Sequence, residues 1–200
     1  MTRLSLVIAT YNRAECLMVT LASVAEQSAK PQKWECIVVD NNSKDDGYVE
    51  ECVAQFRRYY VDNIDRHTLP YEGMVELLEE LCQRGVAVAV ASNKFQHGTE
   101  RLISKFFGNI EFVAIEGNRE GEPLKPDPRI VEKIIAIAGA KRERTVMVGD
   151  SGIDIRTAAA ANIASIGVAW GFRYADELYD AGATTVVTKT DELRTLLLAE

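Results

Sequence analysis

The 200-residue chain has no apolar run near the roughly 20 residues that a bilayer span requires; its longest lies around Ala158 to Ala161. The opening "MTRLSLVIATYN" has too short an apolar core for a secretory signal, so the expected location is the cytoplasm, with no membrane partner. Basic excess is missing too. With 23 Lys and Arg against 30 Asp and Glu, the formal charge is -7, which leaves no electrostatic footprint for nucleic acid. Any anionic substrate must therefore be held by local donors or by a metal ion. Cysteine is sparse: Cys16, Cys36, Cys52 and Cys82 form no CxxC or other metal-ligand spacing and read as reduced packing residues. Internal repeats and low-complexity stretches are absent as well.

What remains is a globular composition, 47% hydrophobic and 26% charged, with ample chain to bury a core without disulfides or metals. Apolar runs of strand length alternate with helical patterns. Strands are expected at Leu4–Ala9, Trp34–Val39, Val86–Ala91, Phe112–Ile115, Thr145–Val148, Ser165–Val168 and Thr185–Val187. Between and after them the spacing predicts helices at Ala14–Gln27, Val49–Tyr60, Glu72–Arg84, Thr99–Phe106, Arg129–Ala138, Asp154–Ala161, Ala175–Asp180 and Asp191–Leu198. This alternation predicts an α/β fold, a doubly wound parallel sheet of Rossmann-like type. Such a sheet places its chemistry beyond the carboxyl ends of its strands.

Ser92 and Asn93 follow one expected strand, Lys125 sits in the loop "EPLKPDP", and Asp150, Ser151 and Asp154 follow another in "VMVGDSGID". Singly, each has a structural reading: Ser92 as a helix cap, Lys125 as a solvated loop lysine, Asp150 with Ser151 as a capping pair. In this order and spacing the set resembles motifs II, III and IV of the haloacid dehalogenase (HAD) superfamily. The surrounding "YYVDNIDRHTLPYEGMVELLEELCQRGVAVAVASNK" and "VGDSGIDIRTAAAANIASIGVAWGF" are similar to its phosphoglycolate phosphatase branch, and the resemblance covers about residues 53 to 200. It implies that Ser92 donates its hydroxyl to a phosphoryl oxygen and that Lys125 offsets negative charge on nucleophile and phosphate. Asn93 and Gly149 would offer donors for an anion cradle. Asp150 would bind Mg²⁺, with Asp154 as a further ligand or a supporting carboxylate; standing at i and i+4, the two are expected to face one cavity.

Members of that superfamily begin with a strand ending in DxDGT, which supplies the nucleophile and the general acid/base, and no DxDGT occurs in this chain. Residues 3 to 47 instead resemble the first strand, helix and second strand of the family 2 glycosyltransferases of GT-A type, on "LSLVIATYNRAECLMVTLASVAEQ" and "WECIVVDNNSKDD". The expected organisation is therefore a glycosyltransferase-like βαβ segment at 1–47 joined to a HAD-like core at 48–200 that lacks its first motif and an intact cap, with the join near residues 47 to 53. Asp40 follows a strand and has Asn42 two positions on, so "VVDNNS" imitates DxDGT with the acid/base replaced by an amide. Asp40 is the candidate nucleophile and a candidate Mg²⁺ ligand, or a helix cap. The rival alignment sets Thr10 and Asn12 where both aspartates belong. The expected function is Mg²⁺-dependent hydrolysis of a small phosphorylated metabolite, a phosphoglycolate-like monoester, impaired by the missing motif. The alternatives are an inactive chimeric or structural α/β protein, and a nucleotide-sugar-binding fragment built on Thr10, Asn12 and Asp40.

Overall fold

The computed structural model describes residues 64–65, 68–171 and 174–199 with their side chains, and the backbone of residues 4–10 and 34–40. The chain divides into two compact units, Met1–Arg66 and His67–Glu200. In the first, β1 (Leu4–Thr10) and β2 (Trp34–Asp40) pair in parallel from Leu4 opposite Trp34 to Thr10 opposite Asp40. Thr10 and Asp40, the rival candidates for the nucleophile position, are thus register partners at the strand ends. Asn12, Asn42 and the helices expected at 14–27 and 49–60 lie outside the described residues.

The second unit runs α1 (Met74–Gln83), β3 (Val88–Phe95), α2 (Gln96–Phe106), β4 (Phe112–Asn118) and α3 (Arg129–Ala138). It continues through β5 (Val146–Gly149), α4 (Gly152–Ala160), β6 (Ala164–Val168), α5 (Ala175–Asp180), β7 (Val186–Val187) and α6 (Thr190–Leu198). All of its strand pairs are parallel, in two ladders ordered β3-β4 and β5-β6-β7. Helices cover both faces, as the alternation implies. Side chains of a strand alternate between faces. Val88 of β3 accordingly joins Leu77 and Leu81 of α1, Ile166 and Val168 of β6 and Leu193 of α6. Ala91, three residues on, packs with Val131 of α3, Met147 of β5 and Ala158 of α4.

One strand departs from expectation in a way that bears on function. Ser92 and Asn93 were expected to follow β3, yet the strand runs on to Phe95. Ala91 pairs with Glu116 and Phe95 with Asn118, so Ser92, Asn93 and Lys94 stand opposite Gly117 alone. Such a bulge breaks the ladder locally and turns the surplus residues out of it. The polar triplet ends the apolar run in the sequence, whereas the backbone resumes pairing beyond it. Among the described residues the β3 and β5 ladders are not hydrogen-bonded to each other.

Leu77 is fully buried at the centre of the larger cluster. Leu77→Ala is expected to lower unfolding stability by about 3 kcal/mol, combining lost transfer energy with a residual cavity. Urea denaturation of the two proteins measures the difference.

Candidate functional site

Lys125 is the centre of the site. Its Nζ donates to Asp154 Oδ1 at 2.6 Å and to the Ala91 carbonyl at 2.8 Å, and both charged side chains are only 10% exposed. The ammonium therefore ties β3 to the start of α4. Its backbone is held as well: Lys125 N donates to Asn93 Oδ1 at 2.8 Å, and Asn93 Nδ2 donates to Lys125 O at 3.1 Å. Asn93, expected to offer a backbone or side-chain donor to an anion, gives its side-chain amide to the Lys125 backbone. Ser92 Oγ accepts the Lys94 N–H at 3.1 Å, which leaves its own hydroxyl proton to donate elsewhere.

Asp154 sits at the third position of α4, behind the N-cap Ser151. Its Oδ2 accepts from Ser151 Oγ at 2.6 Å and from Ser151 N at 3.2 Å, a capping box with aspartate in the reciprocal role. Both of its oxygens thus already accept hydrogen bonds. Gly149 makes this possible, because a Cβ there would stand 2.3 Å from Asp154 Cβ. Asp150 precedes the cap, outside the helix, so the i,i+4 rule for one helix face does not apply to the pair. The Asp150 carboxylate lies against Gly171 instead, where a Cβ would fall 2.1 Å from Oδ2. Asp150 also acts on Tyr71: burial, and then the charge of Asp150, push the Tyr71 phenol above its usual pKa. Sequence reasoning missed Tyr71, whose only signal is its place in "LPYEG".

The fit to a magnesium ion follows from these donors. A hard dication takes several oxygen ligands, often one or two carboxylates with water and substrate phosphate. Asp150 can supply one carboxylate, and Asp154 is committed to Lys125 and Ser151. Among the described residues no group of three or more His, Cys, Asp or Glu is placed to hold a metal ion. Asp40, the remaining expected ligand, has no described side chain.

Beside Ser92 and Asn93 opens a cleft of about 230 Å³ whose walls include Glu116, Asn118, Lys133 and Arg129. Glu116 is 7% exposed and receives Lys133 Nζ at 2.7 Å and an Arg119 nitrogen at 2.5 Å. Burial alone would raise its carboxyl pKa, but the hydrogen bonds and charges of Lys133 and Arg119 outweigh burial and hold it below the usual range. Asn118 Oδ1, buried in the same wall, has no hydrogen-bond partner.

Two predictions follow from this geometry. Asp154→Ala strips Lys125 of its partner and breaks the cap, so unfolding stability should fall by about 3–5 kcal/mol in urea titrations. Because the Glu116 pKa is depressed on folding, its stabilisation is complete above the unfolded-state value near 4.3 and is lost as pH falls through the folded value. Stability curves from pH 6 to pH 3 should therefore converge for wild type and Glu116→Gln, whose amide does not titrate.

The model of the haloacid dehalogenase-like hydrolase family matches residues 11–168. The match starts beyond β1 and its bounds take in residues 47 to 53, so it lends no support to a join there or to a glycosyltransferase-like start. Among curated relatives, a phosphoglycolate phosphatase of Mesorhizobium japonicum is 36% identical over 117 residues, 58% of this chain and 52% of the relative. The pyrophosphatase PpaX of Halalkalibacterium halodurans is 33% identical over 129 residues, 64% of this chain and 60% of that protein. The chain thus spans between half and two thirds of the length of these relatives. A crystal structure from Lactobacillus delbrueckii, described as a candidate phosphoglycolate phosphatase, is 33% identical with a TM-score of 0.71, covering 78% of this chain and 65% of that one. A Clostridium acetobutylicum structure at 21% identity shares the fold over the whole of both chains, with a TM-score of 0.70. With the family match spanning most of its length and the fold agreeing, the chain belongs to the haloacid dehalogenase-like hydrolases.

Proposed function

We propose that this protein is a HAD-type phosphatase scaffold that binds small phosphate monoesters of the phosphoglycolate kind, and that its turnover is impaired. The observation that carries the reading is the buried ammonium of Lys125, held between Asp154 and the carbonyl of Ala91, the residue before Ser92. Phosphoryl transfer is chiefly positioning and charge neutralisation, and a fixed cation beside a hydroxyl donor supplies part of both. The names of the relatives, a phosphoglycolate phosphatase and a pyrophosphatase, agree with an anionic phosphate substrate.

In this reading Ser92 donates to a phosphoryl oxygen, and Lys125 offsets charge on the phosphate. Asp154 orients Lys125. Asp150 takes a coordination position on Mg²⁺, which when bound would neutralise phosphate charge. Asp40 stands for the nucleophile, and Asn42 cannot shuttle a proton. Loss of a general acid/base typically costs about 10²–10⁴-fold in rate. A second reading, a phosphate-binding protein without turnover, is favoured by the absence of DxDGT from the chain and by a family match that begins only at residue 11.

A colorimetric assay with a small phosphate ester and Mg²⁺ should show hydrolysis that is weak, requires the metal and disappears in Asp40→Ala. Mg²⁺ should also raise the melting temperature, and Asp150→Asn should abolish that shift. An unchanged rate in Asp40→Ala would remove Asp40 from the mechanism, and the absence of both turnover and any Mg²⁺ shift would sink the metal site.

A further inference from the structure

Asn93 differs from the other polar residues of the site in where its hydrogen bonds go. Its amide oxygen and nitrogen meet the N–H and C=O of one residue, Lys125, at 2.8 and 3.1 Å. That two-point contact has the form of a strand pairing, made by a side chain at the place where the β3 ladder is broken. Gln96 performs the same service at the other end of the loop: its Nε2 donates to Ile115 O and its Oε1 accepts from Gly117 N. Side-chain amides thus hold the backbone at both Gly117 and Lys125. Beyond Lys125 the loop's ties are local, Asp127 being paired with Arg129.

A lysine ammonium rides on a flexible four-carbon stem, so where it lands depends on how firmly its own backbone is placed. We propose that Asn93 is a positioning residue for Lys125: its amide fixes the backbone from which the ammonium reaches Ala91 O and Asp154. The inference rests on the proposed role of Lys125 but concerns a distinct contact. An amide has one acceptor oxygen and two donor hydrogens, and Lys125 occupies the oxygen and one of the hydrogens. In this proposal the contact with Lys125 is the route by which Asn93 acts on a bound anion.

Trace acylation with acetic anhydride, read lysine by lysine by peptide mass spectrometry, tests this without requiring turnover. The exposed Lys105, Lys141 and Lys189 serve as internal standards. In the wild type Lys125 should label far more slowly than these three. In Asn93→Ala its rate relative to them should rise about tenfold, the order that losing two ordinary hydrogen bonds permits, while the ratios among the standards stay fixed. Asn93→Asp keeps the acceptor and loses the donor, so its Lys125 rate should lie between the two. That variant carries the test alone if Asn93→Ala does not fold. An unchanged Lys125 rate in both variants would overturn the proposal, and so would a rise shared by every lysine, which would mark general loosening. Inorganic phosphate added to the wild type addresses the proposed function separately. Failure to protect Lys125 would count against the phosphate site and leave the Asn93 result standing.

Discussion

The buried pairing of Lys125 with Asp154 is the constraint around which the larger unit is arranged. Two opposite charges withdrawn from water each lose several kcal/mol of solvation, and their attraction restores this only where geometry and additional hydrogen bonds are good. Here the ammonium gains Ala91 O, and the carboxylate gains the hydroxyl and N–H of Ser151. Each partner also needs a backbone concession: a residue without Cβ at Gly149, and a loop held to β3 at Lys125. The pair joins β3 to the start of α4, linking two ladders that share no backbone hydrogen bond among the described residues.

That dependence explains why Asp150 and Asp154, four residues apart, come to do different things. Side chains at i and i+4 share a helix face only when both lie in the helix. Ser151 is the N-cap, with φ -136° and ψ 154°, so the chain is extended just after Asp150 and helical only beyond Ser151. Asp154 turns back to the cap and to Lys125, while Asp150 stays at the end of β5 against Gly171. The sequence offers Asp150 with Ser151 as the capping pair, and the structure pairs Ser151 with Asp154.

Much of the larger unit is legible from periodicity because burial there is one-sided. The spacing of Ile130, Val131, Ile134, Ile135 and Ala138 sets α3 at the observed Arg129–Ala138, and the bounds of α5 coincide as well. Strand bounds shift by one residue in the strands other than β3 and β4, whereas β4 runs three residues beyond its expected end, to Asn118. At β3 the apolar run and the ladder do not end together: the ladder closes again at Phe95 opposite Asn118 after three polar residues. Hydrophobic pattern registers what a side chain buries, and a bulge is a property of backbone pairing. The amide clasps of Asn93 and Gln96 were hidden for the same reason, since Asn and Gln satisfy backbone groups that only the fold brings near.

The overall charge of -7 makes the distribution of cations within the unit more telling than their number. Lys133 and Arg119 are drawn to the buried Glu116, and Arg129 to Asp127, so the cleft beside Ser92 carries cations already answered by acids. Lys125 is answered by an acid too, but that acid is itself held by two donors from Ser151, which draw part of its charge away from the ammonium. An anion arriving beside Ser92 would meet a cation that cannot swing aside and need not be desolvated again, because burial and pairing have already removed its water. In a protein that repels anions at long range, selectivity for phosphate would have to arise at contact distance. An immobilised lysine provides that in a way a mobile surface lysine does not, and the loop, the bulge and Gly149 all serve to immobilise it.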